Sequence, residues 1–340
     1  MRPMTRIGID LAKHVVQLHG VDDRGHTVLR RRLSRAQVRP VFAQLRPCLV
    51  GIEACGSAHY WARELRALGH DVRLIAPQFV APYRKNDKND GNDAEAICEA
   101  VGRPHMRFVP IKDAAQQAVL TVHRARQLLV AERTALVNQT RGLLAEYGLI
   151  VAAGIGALRR ALPALLEAPE LPTLAREVFA DLADRLRALD ERIAAYDRRV
   201  EQLARQTEPA QRLMQVPGVG PVTATALVAT VGHAHAFKNG RQLAAWLGLV
   251  PRQHSSGGRR RLGRITKRGN VYLRTLLIHG ARAVMRQLAH RTDATSRWIT
   301  ALKARRGFNK AVVALAAKQA RILWALLVTG HSYRPAAACP

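Results

Sequence analysis

The chain has 340 residues, long enough for two or three domains with their own cores, and its 48% hydrophobic content excludes a disordered chain. A formal net charge of +29 points to a polyanionic partner, nucleic acid first. After Glu208 the one carboxylate is Asp293, so the last third cannot build a carboxylate metal site alone and is expected to lie on phosphates.

Residues 5–33 read as an antiparallel three-strand meander: TRIGIDLAK, HVVQLHGV, a turn at Asp22, Asp23, Arg24 and Gly25, then HTVLRRRL. Residues 34–46 read as helix, CLVGIEACG as a short strand with Glu53 near its end, and SAHYWARELRALG as a helix with Ser57 as N-cap and Gly69 as stop. DVRLIAP is another strand, and 85–103 is a polar loop running into a helix. MRFVPIK is either an edge strand or an extended linker. The pattern is α/β up to this point and all-helical beyond it. Residues 113–147 form one long helix, 148–172 a hinge or short helices, and 174–206 helix again. Leu182, Leu186, Leu189, Ile193, Tyr196, Val200 and Leu203 step by four and three, which is the seam of a coiled coil or of an antiparallel hairpin. QVPGVGPVTATALVATVG has a helix-hairpin-helix look, with Gly218 and Gly220 placed to let backbone N–H groups meet phosphate. FKNGRQLAAWLGLV is a helix, and further helices are expected at about 271–290 and 309–328. Lys318, Gln319 and Arg321 interrupt the apolar run 311–329, which therefore reads as a packed helix and not a membrane span. Cys48, Cys55, Cys98 and Cys339 show no C-x-x-C spacing, and no signal peptide is visible at Met1; both fit a reducing cytoplasm.

Carboxylates cluster in the first part. Asp10 lies in G-I-D on the first strand and Glu53 in G-I-E on the fourth. In a meander-first α/β sheet those strands are neighbours. An acid inside an apolar strand is costly without a partner. Asp90 and Asp93 are three apart where the loop enters a helix, so they share a face. Asp87, three before Asp90, leaves 87 and 90 open as the pair, and Glu95 and Glu99 read as solvated. Four clustered carboxylates repel unless cations sit among them, and hard oxygen ligands suit Mg²⁺ or Mn²⁺. Two such ions make a phosphoryl-transfer site.

The stretch 251–270, PRQHSSGGRRRLGRITKRGN, gathers Arg252, Arg259, Arg260, Arg261, Arg264, Lys267 and Arg268 around Ser255, Ser256, Gly257 and Gly258, with no acid. Glycines beside guanidiniums suit close approach to phosphate. A hydroxyl there either binds phosphate or attacks phosphorus.

The ordered set G-I-D, G-I-E-A-C-G, K-N-D-K-N-D-G-N-D-A-E-A-I, P-G-V-G and P-R-Q-H-S-S-G-G-R-R-R-L-G-R-I-T-K-R-G-N-V-Y-L-R resembles the DEDD insertion-sequence transposases with a C-terminal serine. That family includes the pilin-gene inverting recombinase and the bridge-RNA-guided recombinases. The resemblance implies an RNase H-like domain of the Holliday-resolvase type at 1–112, with a metal tetrad of Asp10, Glu53, Asp90 and Asp93. Gly91-Asn92, between the last two acids, departs from the family pattern but keeps the spacing. It implies a coiled-coil dimerisation segment at 113–206, and at 207–340 a domain whose serine attacks the DNA phosphodiester. Ser256, just before Gly257, matches that serine best, with Ser255 as competitor. It further implies a structured noncoding guide RNA, a homodimer or homotetramer, and work at the bacterial nucleoid. Rival readings are a metal-dependent junction endonuclease whose serine only holds phosphate, an acid-site transposase that joins a 3′-OH, and a non-catalytic architectural DNA binder.

Overall fold

The computed structural model describes residues 4–85, 87 and 89–335. Cys339, Asn86 and Lys88 lie outside the described residues. The chain packs as two units, Met1–Ala115 and Gln116–Pro340.

In the first unit the meander is β1 (Arg6–Leu11), β2 (Val15–Val21) and β3 (Thr27–Ser34). Asp22 closes its second turn by accepting N–H bonds from Arg24 and His26, and Gly25 takes a positive φ of 85°. Then come α1 (Arg35–Gln44), β4 (Leu49–Glu53), α2 (Ala58–Ala67), β5 (Asp71–Ile75), the single turn α3 (Pro77–Val80), α4 (Asp90–Val101) and β6 (Phe108–Val109). The sheet order is β3-β2-β1-β4-β5-β6, with β1, β4 and β5 parallel and β6 an antiparallel edge strand. Ile7, Ile9, Val16, Leu18, Val50, Ile52, Val72 and Leu74 are buried against Val38 and Phe42 of α1 and Trp61 and Leu65 of α2. The opposite face is left for α4.

Ser57 does not cap α2 as expected. It has φ 67° and no capping bond, and its hydroxyl instead accepts from Arg35 Nη2 at 2.6 Å. Arg35 Nη1 donates to Ala12 O at 2.9 Å, so one guanidinium ties the loop after β1 to the loop after β4.

The second unit opens with α5 (Ala114–Ala145), α6 (Ile155–Leu166) and α7 (Thr173–Gln206). Arg126 pairs with Asp197, and Arg133 with Asp190 at 3.0 Å. Seven residues forward on α5 match seven back on α7, so the two helices run antiparallel. The α7 seam, Leu186, Leu189 and Ile193, is buried with Leu129, Leu136 and Leu144 of α5 and Leu158 and Leu162 of α6. Following these are α8 (Glu208–Met214), α9 (Pro221–Val231), α10 (Gly240–Trp246), β7 (Pro251–Gln253), β8 (Leu262–Ile265), α11 (Val271–Arg286), α12 (Ala294–Arg306) and α13 (Phe308–Thr329). The helix α12 is absent from the sequence reading. Its signal was Asp293, whose carboxylate accepts the N–H groups of Thr295 and Ser296 as an N-cap. Among the described residues α13 alone is long and apolar enough to cross a membrane. Here it is a core helix, with Val312, Leu315, Ala316, Ala320 and Leu323 buried.

His123 of α5 is buried among these helices. Thr225 donates its hydroxyl proton to Pro221 O at 2.7 Å, so its oxygen must accept from His123 Nε2 at 3.0 Å. His123 Nδ1 is then the acceptor for Tyr272 O–H at 3.1 Å. Burial, then Arg126 and Arg124, lower the imidazole to about 4. The unfolded imidazole takes its proton near 6.5 and the folded one only near 4. Stability held above pH 6.5 is therefore lost as pH falls through that window, by on the order of 3 kcal/mol. Urea denaturation of wild type and His123→Gln at pH 7 and pH 4.5 should show the larger pH-dependent loss in wild type. Equal losses would contradict this assignment.

Candidate functional site

Gly8 and Gly51 build the first site. They face each other across β1 and β4 in parallel register. Extending that register by two residues sets Asp10 beside Glu53 on the same face. A Cβ at Gly8 would stand 2.1 Å from Ala94 O and 2.4 Å from Cys98 N, and one at Gly51 would stand 2.7 Å from Val101 Cβ. The two glycines thus form a trough in which α4 lies against the sheet. This brings the first turn of α4 to the ends of the acid-bearing strands. Asn89 caps that turn by accepting from Asn92 N–H at 2.8 Å, and the cap fixes Asp90 and Asp93 inside the helix, where its N-terminal dipole favours acids.

Convergence shows in Asp10. Burial raises its carboxyl first, then the fields of Asp93, Asp90 and Glu53, to about 6. Asp87 is exposed, lies outside the helix and is absent from that set. Arg84 Nε stands 2.7 Å from Asp93 Oδ1. The pair is out of line, so the buried Oδ1 has no hydrogen-bond partner among the described residues. The all-carboxylate donor set suits a hard divalent cation, and the Arg84 guanidinium balances the charge of Asp93 within it. No group of three His, Cys, Asp or Glu side chains among the described residues is already drawn in to ligand spacing. Glu95 and Glu99, expected to be solvated, are half-buried and paired: Glu95 with Arg30 at 3.0 Å, Glu99 with Arg6 at 3.6 Å. Each carboxylate is shared between an arginine and solvent.

A methyl at Gly8 collides with backbone, which cannot swing away. Gly8→Ala is expected to destabilise the first unit by about 1–3 kcal/mol and to lift the first turn of α4 from Asp10. Chemical denaturation would measure the first effect, and the Asp10 carboxyl titrating nearer 4 by NMR would measure the second. An unchanged Asp10 titration would contradict the trough.

The basic stretch forms a β-hairpin. Strands β7 and β8 pair antiparallel, and His254 N–H donates to Arg261 O at 3.0 Å. At the tip Ser256 bridges Arg259 across Gly257 (φ 53°) and Gly258 (φ 75°). Positive φ at both central residues marks the hairpin turn that glycine permits. The two serines differ. Ser255 Oγ accepts from Gln253 Nε2 at 3.0 Å and Arg261 N–H at 3.2 Å. The exposed Ser256 hydroxyl has no partner among the described residues. Arg252, Arg259, Arg260, Arg261, Arg264, Lys267 and Arg268 are all exposed, and among the described residues none forms an ion pair.

Of the glycines expected at phosphate, Gly218 (φ 85°) packs inward: a Cβ on it would lie 2.6 Å from Gly280 O of α11. Gly220 is open and precedes Pro221 at the start of α9. Gln319 Nε2 pins the turn from below by donating to Pro217 O at 2.7 Å.

Comparison with known proteins gives two family matches. Residues 7–149 match a DEDD transposase family of the IS110 type, and residues 210–296 match the IS116/IS110/IS902 transposase family. Among relatives, a "Probable family 20 transposase" of Pseudomonas aeruginosa is 58% identical over 98% of this chain and 99% of its own length. The transposase for insertion sequence element IS1111A of Coxiella burnetii is 47% identical over 98% of this chain and 92% of its own. The transposase for insertion sequence element IS1328 of Yersinia enterocolitica is 40% identical over 97% and 98%.

Proposed function

The chain belongs to the IS110 family of insertion-sequence transposases, enzymes that act on DNA, and from that premise we propose that it cuts and rejoins DNA through a covalent link to Ser256. The observation that carries this is the asymmetry at the hairpin tip. Ser255 is engaged within the hairpin, while Ser256 is exposed, unpartnered among the described residues and surrounded by unpaired guanidiniums.

In the proposed reaction Ser256 Oγ attacks the scissile phosphorus. The Oγ–P bond forms as a P–O bond to deoxyribose breaks, and the freed sugar oxygen takes up a proton as the serine gives one up. Rejoining runs the same exchange backwards, so phosphodiester bonds are conserved and no nucleotide is hydrolysed. Arg259, Arg260 and Arg261 offset the charge growing on the phosphate oxygens. Arg252, Arg264, Lys267 and Arg268 hold the flanking backbone, and the open N-terminus at Gly220 offers N–H groups to a further phosphate. Gly218 is assigned to packing instead. A serine hydroxyl is a weak nucleophile near neutral pH and needs a base or an electrophilic phosphate. The DEDD family implies a divalent metal, Mg²⁺ or Mn²⁺ by its donor set, held by Asp10, Glu53, Asp90 and Asp93; when bound it supplies Lewis-acid activation of phosphate. Without metal, burial and then Asp93, Asp90 and Glu53 raise Asp10 to about 6, a cost to the ionised cluster that a divalent cation would relieve.

We read the first unit as an RNase H-like domain, which the strand order β3-β2-β1-β4-β5 supports. Separate hydrophobic clusters for α5–α7 and for α8–α13 support a middle segment at 113–206 and a C-terminal segment at 207–340. The α7 seam is spent on α5 and α6. A homodimer or homotetramer would therefore use the outer apolar positions, Leu128, Leu143, Ile150 and Leu174, which are exposed. The charge of +29 suits a structured guide RNA beside the DNA, at work on the nucleoid in the cytoplasm.

Labelled DNA carrying the element ends, incubated with the protein and run on a denaturing gel, should give an SDS-resistant protein–DNA band that Ser256→Ala abolishes. Recombination that persists in Ser256→Ala would point to a metal-only nuclease or transposase.

A further inference from the structure

Arg274 is buried, with 7% exposure, in the otherwise apolar inner face of α11, beside Leu273, Leu277 and Ala281. A buried guanidinium normally needs an acid. Asp293 is the one carboxylate after Glu208, and it is taken up capping α12 and facing Arg291 at 3.8 Å. Arg274 has no acidic partner among the described residues. Burial accordingly lowers its hold on its proton. Its Nη1 instead donates to Leu247 O at 3.0 Å and Arg268 O at 2.9 Å. Those carbonyls flank the base of the serine hairpin: Leu247 precedes the buried Leu249 that leads into β7, and Arg268 follows the end of β8.

The roots are otherwise held by bare backbone. A Cβ on Gly248 (φ 71°) would stand 2.3 Å from Arg268 O, and one on Gly269 (φ 74°) 1.8 Å from Trp246 O. Such close approach brings the two carbonyls within reach of one nitrogen. It also sets two carbonyl dipoles side by side, which a cation relieves. Above this clamp, Thr266 N–H donates to Val250 O at 2.9 Å and Lys267 N–H to Gly248 O at 3.1 Å. Beyond them the hairpin is exposed and its arginines are unpaired, so its direction is fixed from the root.

We propose that Arg274 is a positioning residue for the transfer reaction: its buried guanidinium joins both roots of the hairpin to α11 and so sets where the tip, with Ser256, can reach. Its link to catalysis rests on the serine reading given above.

The test uses hydrogen exchange on the full-length protein without DNA, together with the rate of covalent adduct formation at saturating DNA. In Arg274→Met, the amides of Thr266 and Lys267 should exchange about tenfold faster or more, while those of α13 keep their protection. Adduct formation should slow about tenfold or more with DNA affinity changed less than about threefold, a split that loss of folded protein would not produce. Arg274→Lys, which keeps the charge and can donate to both carbonyls, should recover part of each. Unchanged protection at the hairpin root, or loss of protection spread equally through α13, would overturn the clamp. So would an adduct rate that falls only with the folded fraction. If the wild type forms no adduct, the serine reading fails, and the exchange result alone then supports or overturns the clamp.

Discussion

Asp10→Asn is expected to abolish DNA cleavage while making the metal-free protein more stable. Both effects come from the same cluster. Asp10 is half-buried, and that burial, then the fields of Asp93, Asp90 and Glu53, lift its carboxyl to about 6 from an ordinary 3.8. An acid whose folded pKa is raised favours folding while protonated. That contribution is full below about pH 4, declines as pH rises toward 6 and is gone above it. At pH 7 the ionised carboxylate therefore opposes folding by about 1–3 kcal/mol, the lower figures allowing for its partial exposure to solvent. Asparagine keeps the shape and removes the charge. In the presence of chelator, Asp10→Asn should melt a few degrees higher at pH 7 and lose the slope between pH 4 and 6. Cleavage should fall on the order of 10³-fold or more, several kcal/mol of transition-state stabilisation, with DNA binding retained. A variant that is both less stable and still active would remove the carboxylate cluster from the mechanism.

Ser256→Ala should cost more still, on the order of 10⁴-fold or more in recombination, because no other group forms the covalent bond. Ser255→Ala is the discriminating control. It deletes the acceptor for Gln253 Nε2 and Arg261 N–H, two exposed hydrogen bonds worth about 0.5–1.5 kcal/mol each at most. A loss of roughly tenfold follows, through a looser tip rather than a missing nucleophile. The reverse pattern, with Ser255→Ala inert and Ser256→Ala active, would exchange the two roles. Both variants should bind DNA like wild type, since all seven basic side chains of the hairpin remain.

Sequence made some parts of this site visible and hid others for identifiable reasons. Asp10 and Glu53 stood out because acids are rare inside apolar strands, and the meander-first order fixed β1 beside β4. Asp90 and Asp93 were visible as a pair, but Asp87 competed until the Asn89 cap fixed the start of α4. Gly8 and Gly51 carry no side chain whose chemistry could signal a role. Their function is to be absent of a Cβ beneath α4, and only the packed structure shows what would fill that space. The hairpin is hard to see in the sequence because Arg and Gly mask any alternation; its signal is Gly257-Gly258 between two short extended runs. Helix α12 went unread because among its thirteen residues only Ser296 and Ile299 are buried, too few to give a periodic stripe. Ser57 looked like a cap by type and position, yet Arg35 takes its hydroxyl for tying two site loops together. Arg274 gave no warning in VYLRTLLIHGARAV, where its position on the buried face reads as a break in the apolar pattern.

The most direct measurement is the identity of the residue joined to DNA. The wild-type protein is trapped on labelled DNA, digested, and the nucleotide-bearing peptide sequenced by mass spectrometry. The account predicts a phosphate ester on Ser256, with Ser255 unmodified in the same peptide. An adduct on any other residue, or DNA cut and rejoined with no protein attached at any time, would contradict it.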